Sequence, residues 1–407
     1  METKVVVTGL GAIASNGNSL NDFWESTLNG KDGYTNNECY LKDFPFKLVG
    51  VIKGLKMEDY LSSEEIESYD KSVQYALIGA QMAIQDSNLK LDTVDKKRVA
   101  VVLGSTCGTN YAVERDNFVN NWYLNKAEVS KHNYDQYRHY DIPNAVSRKF
   151  GFQGVSYLEG TACASGNHSI GEASDLIRLG LADVVICGGA EALSLLPLLG
   201  FNAMMALASK KCAPYDKNRD GVVIGEGAGI LVLESEKHAK DRNASIYASV
   251  SGWSVNCDAG NITAPIEDGT RAGQLIELCL SDASLMPDEI GYISLHGTGT
   301  QKNDIAESNG IKKAFKDKWK VPYSSSIKSM IGHTFGAAGA LNSIAAIMAI
   351  SKGYIPPSIN IDCADDSLDL NMVTELNKKT EHEIIHALSL SFGFGGCNTA
   401  CLFSKYI

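Results

Sequence analysis

The chain predicts an α/β fold, on three observations. Short Val- and Ile-rich runs alternate with helix-type segments along most of its 407 residues, no Pro/Ser/Gly linker cuts it, and its two halves rhyme. The β-type runs are Lys4 to Thr8, Arg98 to Leu103, Ala182 to Cys187, Gly229 to Glu234, Ser245 to Trp253, Gly291 to Leu295 and Ala387 to Ser391. Among the helix-type segments, Lys71 to Ser87 sets Val73, Ala76, Leu77, Ala80 and Ala83 on one face, and Thr270 to Ala283 and Ala340 to Lys352 have comparable spacing. Gly180 and Gly353 fall where helix C-caps belong. The rhyme is an extended run, a small-residue turn and an Ala/Gly-rich helix at Val155 to Gly180 and again at Tyr323 to Gly353. It reads as an internal duplication, residues 1–243 and 244–407, with Cys163 and His333 at comparable strand-to-helix corners facing one site.

Composition bounds the function. With 44% hydrophobic and 21% charged residues the chain is an ordinary globular sequence, long enough to bury a deep pocket. A net charge of -11 argues against nucleic acid or an anionic membrane surface as the main partner, although Lys210-Lys211 and Lys126 to Lys131 are local basic spots. The ten cysteines include no Cys-x-x-Cys pair, and the closest two are Cys397 and Cys401, so no zinc site or disulfide framework is expected. Free thiols imply a reducing, cytoplasmic setting. Met1 to Leu10 runs into a Val-rich strand without the pattern of a secretory signal. The greasy stretch Leu193 to Ala208 is broken by Ser194, Pro197, Gly200 and Asn202, which suits a buried wall or an interface and not a membrane span.

Four corners concentrate chemistry. Cys163, within Glu159-Gly160-Thr161-Ala162-Cys163-Ala164-Ser165-Gly166, sits where an extended run turns into a helix. A helix N-terminus favours a thiolate over a thiol, and the small neighbours leave room for a carbonyl. His296 ends a strand and is followed by Gly297-Thr298-Gly299-Thr300; His333 closes Ser325-Ser326-Ile327-Lys328-Ser329-Met330-Ile331-Gly332. Either histidine alone is ordinarily structural. One Cys and two His in small-residue turns fit acyl transfer to a thiol followed by carbanion formation beside neutral imidazoles. Phe392-Gly393-Phe394-Gly395-Gly396 brackets an aromatic with glycines, which allows N–H groups to face an oxyanion and a ring to swing. By contrast, Gly9-Leu10-Gly11-Ala12-Ile13-Ala14 is a poor dinucleotide fingerprint, because a turn sequence follows it and no acidic strand end comes about 20 residues later.

Taken together, Thr161 to Gly166, Asp216 to Gly229, His296 to Thr300 and Lys328 to His333 resemble the elongating β-ketoacyl-acyl carrier protein synthases, which have the thiolase-like fold, in order and at similar spacing over essentially the whole chain. The resemblance implies a duplicated α-β-α-β-α architecture and a decarboxylative Claisen condensation. In it Cys163 takes an acyl chain from a carrier protein, while His296 and His333 assist decarboxylation of the malonyl extender and stabilise its enolate. Lys328 would set the electrostatics around the histidines, with Glu307 as its partner and Asp304 nearby; N–H groups of Cys163 and Phe394 would form the oxyanion hole, with Phe394 also a gate. Thr298 and Thr300 would meet the phosphopantetheine arm, and Cys107, Phe201 and Phe392 would line the acyl pocket. The implied partners are an acyl carrier protein and a second subunit, either another copy or a chain-length-factor-like chain. No metal and no cofactor beyond the carrier's own arm are implied.

Several departures from the family pattern point away from primary fatty acid synthesis, toward a type II polyketide or polyene-like pathway. They are the small Cys107, a shorter approach from Ile142 to Gly160, the acidic stretch Ser62 to Tyr69 and Gln301-Lys302-Asn303-Asp304. Three alternatives remain open: a housekeeping elongation synthase, a thiolase using Cys397 or Cys401 as its second cysteine, and a non-catalytic subunit that shapes a partner's pocket.

Overall fold

The computed structural model describes residues 3–36, 48–115, 136–374 and 383–407; the basic spot Lys126 to Lys131 lies outside them. The strands are β1 (Val5–Ala14), β2 (Thr35–Asn36), β3 (Leu48–Gly50), β4 (Val99–Gly104), β5 (Ser156–Glu159), β6 (Val184–Glu191), β7 (Ile224–Gly225), β8 (Gly227–Ser235), β9 (Ala248–Cys257), β10 (Tyr292–Ser294), β11 (Tyr323–Ser325), β12 (His386–Phe392) and β13 (Cys397–Ser404). Three of them, β2, β3 and β7, form a small separate sheet.

The other ten run in the order β11-β10-β12-β13-β9-β1-β8-β6-β4-β5. Number the strands of each half by chain position, and both halves read 3-2-4-5-1 from the edge inward. The directions repeat too. β4 is parallel to β5 and β6, and β6 antiparallel to β8; β10 is parallel to β11 and β12, and β12 antiparallel to β13. The first strands of the halves, β1 and β9, pair antiparallel through Val5–Val250 and Val7–Ala248 and join the two into one sheet.

Layering follows from which helix touches which strands. Helices Ser165–Arg178 and Ala338–Lys352 pack on each other and on strands of both halves, whereas Lys71–Asp86 touches the first half's sheet and Thr270–Ala283 the second half's. The result is an α-β-α-β-α stack with the two crossover helices in the middle. A central helix must be apolar all round. Ala338–Lys352 meets that demand with Leu341, Ile344 and Ile347 fully buried. Its segment Phe335–Lys352 has the length and hydropathy of a membrane span, but 89% of it is buried inside the fold, as a core helix is.

Most expected elements stand where the sequence put them, including the C-caps Gly180 and Gly353, both with φ near +70° (70° and 74°). Two differ. β1 does not stop at Thr8 but continues through the Gly9-Leu10-Gly11 stretch to Ala14. There, a Cβ on Gly9 would lie 2.2 Å from the Ala83 carbonyl oxygen and one on Gly11 2.2 Å from that of Gly79. Those glycines let strand and helix touch and bind no phosphate loop. The second difference is in strands outside the expected runs: the long β13 and the short β2, β3 and β7.

A buried ion cluster fastens β1 and β8 to the helix Glu236–Asp241. Burial alone would raise the Glu234 pKa, but hydrogen bonds from Arg242 (2.5 and 2.9 Å), His238 and Thr8 pull it down to about 2. A carboxylate with a depressed folded pKa contributes stability above its unfolded pKa and loses it as pH falls toward the folded value. The wild-type unfolding free energy should therefore fall between about pH 4.5 and pH 2 by an amount on the order of 3 kcal/mol, with the urea midpoint falling in step. Glu234→Gln should be less stable at pH 7 and show a flatter dependence over that window, measured by urea titration at each pH.

Candidate active site

The two crossover corners are built by the same device. After β5, a single 3-10 turn, Ala162–Ala164, leads straight into Ser165–Arg178; after β11 and a short helix Lys328–Ile331, the 3-10 turn Phe335–Ala337 leads straight into Ala338–Lys352. Each turn opens on a non-glycine residue at positive φ, Ala162 at 51° and Phe335 at 45°. Such strain costs of order 1 kcal/mol and persists only where its surroundings enforce it. At the first corner Ser165 Oγ enforces it, accepting from the Thr161 N–H at 2.9 Å and donating to the Ala162 carbonyl at 2.6 Å. At the second, Gly336 lies against the chain after β4, where a Cβ would meet Ser105 Cα at 2.4 Å. Cys163 and His333 thus come from equivalent corners, as the internal rhyme implied.

The corners open on one cavity of about 410 Å³. Cys163, His296, His333, Thr298, Thr300 and Phe394 line it, with Phe201 and Phe392 on its apolar side. The histidine rings stand edge to face at 5.2 Å, His333 stacks on Phe335 at 5.0 Å, and His296 meets Phe392 edge-on at 5.8 Å. Phe394 lies flat on Phe201, 5.1 Å away at 10°.

Burial pushes both imidazole pKa values well below the usual range, and Lys328 pushes the same way. Both rings are neutral at pH 7. The Phe335 N–H points at His333 Nδ1 at 3.3 Å, so that nitrogen accepts and the ring carries its proton on Nε2. A neutral Nε2–H can donate to an enolate oxygen without passing over a proton.

Cys163, 4% exposed, departs from the thiolate expected at a helix N-terminus. Burial pushes its pKa up to about 12; Lys328 draws it down, Glu191 adds to the rise, and the backbone N–H groups of Phe394 and Cys163 itself lower it. Desolvation outweighs the helix end here, and the resting group is a thiol. The two N–H groups that reach its sulfur are those expected to form the oxyanion hole.

Lys328 and Glu307 act on each other's charge, as expected, but without touching. Against the larger effect of burial, Glu307 draws the Lys328 pKa up and Lys328 draws that of Glu307 down, while the Lys328 Nζ donates to the His296 carbonyl at 2.6 Å. Glu307 instead accepts the N–H groups of His296 (2.7 Å) and Gly297 (2.8 Å) and the Tyr215 hydroxyl (3.1 Å). Lys328 and Glu307 therefore grip the same histidine through its main chain, one at the carbonyl and one at the amide. Burial raises the Glu307 pKa and lowers that of Lys328. Asp304 accepts from the Tyr215 and Gly299 amides and pairs with Arg219 Nε at 3.3 Å, tying the segment after Asp216 beneath the His296 loop. Thr298 and Thr300 share a hydroxyl contact of 2.9 Å on the cavity wall.

Cys107 is not in the cavity lining. It sits on the turn after β4, within electrostatic reach of Cys163, and burial raises its pKa. That turn is held by a residue sequence reasoning missed. Glu191, fully buried at the end of β6, accepts the N–H groups of Thr106 (2.7 Å), Cys107 (3.0 Å) and Gly336 (3.0 Å) and the Ser105 hydroxyl (3.1 Å). Burial raises its pKa to about 7. The signal was present: Glu191 is the charged end of the otherwise apolar run Val184 to Ala190.

Comparison with known proteins agrees with this geometry. The family descriptions "Beta-ketoacyl synthase, N-terminal domain" and "Beta-ketoacyl synthase, C-terminal domain" match residues 2–239 and 247–362. A chloroplastic 3-oxoacyl-[acyl-carrier-protein] synthase I of Arabidopsis thaliana is 36% identical over 99% of this chain and 87% of its own length. The 3-oxoacyl-[acyl-carrier-protein] synthase 2 of Vibrio cholerae is 35% identical over 99% of both. Among solved structures, the ishigamide ketosynthase/chain length factor superposes with a TM-score of 0.95 at 31% identity, covering 100% of both chains. The AntDE:AntF complex of a type II PKS acyl-carrier protein with its ketosynthase, bound to the hexaketide, gives 0.91 at 33%, again covering 100% of both. The chain belongs to the β-ketoacyl synthase family of thiolase-fold condensing enzymes. It is an acyl-transferring enzyme.

The thiol's environment makes a signed prediction. Alkylation of Cys163 by iodoacetamide should rise about tenfold per pH unit from pH 7 through 9, with no plateau near the ordinary thiol pKa of about 8.5. At pH 8 Lys328→Met should slow it and Glu191→Gln speed it, each severalfold, followed by mass spectrometry of the peptide carrying Cys163.

Proposed function

We propose that this ketosynthase elongates a polyketide or polyene-like chain on an acyl carrier protein, by the route its residues support. The Cys163 sulfur attacks the carrier-bound thioester, the carbonyl oxygen turns toward the Cys163 and Phe394 N–H groups, and the departing pantetheine thiol takes up the proton. Malonyl-carrier protein then occupies the cavity along Thr298 and Thr300. It loses CO2, and its enolate oxygen is held by the neutral histidines. The enolate carbon attacks the acyl-Cys163 carbonyl, and collapse of that adduct expels the Cys163 thiolate, which takes a proton from water to return to the thiol, and leaves a β-ketoacyl chain longer by two carbons. The reading calls on no cofactor besides the carrier's arm.

The observation that carries it is the convergence of one thiol and two neutral imidazoles on a single cavity. The thiolase alternative needs a second cysteine there. Among the described cysteines only Cys163 lines the cavity; Cys401 is buried in β13 and donates to the Asn167 carbonyl at 3.3 Å. A non-catalytic pocket-shaping role leaves Cys163 and its partners without a task.

The polyketide reading rests on the full-length structural neighbours, which include the hexaketide-bound and ishigamide ketosynthases. The second of these is described with a chain length factor. The wall helix Leu195–Ala203 leaves Leu196 59% and Leu199 45% exposed, an apolar face of the kind such a second subunit, or a second copy, would cover. Relatives named 3-oxoacyl-[acyl-carrier-protein] synthase, matched over 99% of this chain, keep housekeeping elongation as the second reading.

Incubation with malonyl-carrier protein and a panel of acyl-carrier proteins tests both. Wild type should acylate Cys163, release CO2 and give a β-ketoacyl-carrier product; Cys163→Ala should give no condensation product while retaining CO2 release. Preference for polyene or β-keto acyl groups over saturated ones, read as a ratio of kcat/KM, supports the polyketide assignment, and the reverse preference rejects it. No acylation of Cys163 by any donor rejects the condensing reaction itself.

A further inference from the structure

Cys257 ends β9 and Cys397 begins β13, and in the sheet they stand directly opposite each other. Their pairing type can be read from the ladder. The N–H of Asp258 donates to the carbonyl of Gly396 at 2.9 Å, one residue after one cysteine and one before the other. Bonds that flank a pair this way define the narrow, non-hydrogen-bonded site, with Cα atoms about 4.5 Å apart and both side chains on one face. That separation lies inside the range of about 4.4–6.8 Å spanned by disulfides. Cys257 is exposed and Cys397 half-buried, and both are free thiols.

The pair lies at one end of the turn that carries Phe394: Cys397 follows that turn directly, and Cys257 ends the neighbouring strand. Within it, the Gly393 N–H donates to the Cys397 carbonyl at 2.7 Å, and the Cys257 thiol faces the Gly395 carbonyl at 4.0 Å. Because side chains alternate along a strand, the neighbours Asp258 and Asn398 project into the cavity, where Asn398 Nδ2 meets Asp258 Oδ1 at 2.7 Å, while neither cysteine lines it. An oxidant can therefore reach the thiols from outside without passing through the substrate path.

We propose that Cys257 and Cys397 form a reversible dithiol–disulfide pair that restrains the Phe394 turn when oxidised. A small-molecule disulfide such as oxidised glutathione is the oxidant. The Cys257 thiolate attacks it, expelling one glutathione thiol and leaving a mixed disulfide on Cys257. The Cys397 thiolate then attacks Cys257 Sγ, expelling the second. Two protein thiols are oxidised and one glutathione disulfide is reduced to two thiols, with the protons passing to the released glutathione. The bond joins the two strands at the foot of the Phe394 turn and removes the Cys257 S–H from Gly395. The restraint reaches catalysis through the Phe394 N–H at Cys163, so the effect on turnover rests on the condensing function proposed above; the cross-link does not.

The full-length protein, equilibrated in glutathione buffers of graded ratio and quenched with acid, is mapped by non-reducing peptide mass spectrometry and assayed for condensation in parallel. A Cys257–Cys397 peptide about 2 Da lighter than the two reduced peptides is expected, together with a roughly threefold or larger fall in condensation rate that a dithiol restores. Cys257→Ser and Cys397→Ser should condense like the reduced wild type and lose that response, which separates the pair from adducts on Cys163. Absence of the cross-link, or glutathione adducts alone, overturns the proposal. A cross-link with unchanged turnover overturns the restraint. A protein that cross-links yet never condenses in any state leaves the pair standing and rejects the function instead.

Discussion

Everything at this site depends on how closely the two crossover corners approach each other. Main chain packs on main chain where Gly336 meets the helix start after Cys163, a Cβ on Gly166 lying 2.7 Å from the Gly336 carbonyl oxygen, and where Gly336 meets Ser105 on the turn after β4. The Glu191 carboxylate joins that turn to the His333 corner by accepting the Thr106, Cys107 and Gly336 amides, and a buried carboxylate that serves several amides is costly to strip of any of them. It fixes the turn bearing Cys107 against the helix start after His333. With that approach set, one thiol and two imidazoles share a cavity; without it they are three unrelated buried side chains.

Desolvation then decides the protonation states. The same burial that keeps the histidines neutral keeps Cys163 a thiol, and Lys328 acts on all three. Its position on the His296 carbonyl lets it lower the imidazole and thiol pKa values together without occupying the substrate's space. Lys328 at the carbonyl and Glu307 at the His296 and Gly297 amides grip the main chain from two sides and hold the ring in place.

Much of this was legible in the sequence, for physical reasons that can be named. Strand–helix alternation and the repeated turn-plus-helix at Val155 and Tyr323 expose the duplication, because each half must bury the same faces. Small residues around Cys163, His296 and His333 mark open corners. Quantities set by three-dimensional burial were not legible. The thiol pKa went opposite to the local helix-end argument, because desolvation depends on what covers the sulfur and not on its neighbours in sequence. Lys328 and Glu307 are complementary charges in the sequence, yet they meet through a peptide unit. Glu191 was hidden at the end of an apolar strand, and β13 behind a Gly- and Cys-containing run whose pairing with β9 only the sheet reveals.

The repeated 3-2-4-5-1 topology carries one more consequence. Aligned by their 3-10 turns, the second residue is Cys163 in one half and Gly336 in the other, each directly after the positive-φ residue, Ala162 or Phe335, that opens the turn into a long central helix. A side chain at 336 could not fit this gap, since a Cβ there would collide with Ser105. The two repeats therefore divide the labour on steric grounds: one presents the reactive group, and the other is bare at the matching place, which lets the corners share a single site.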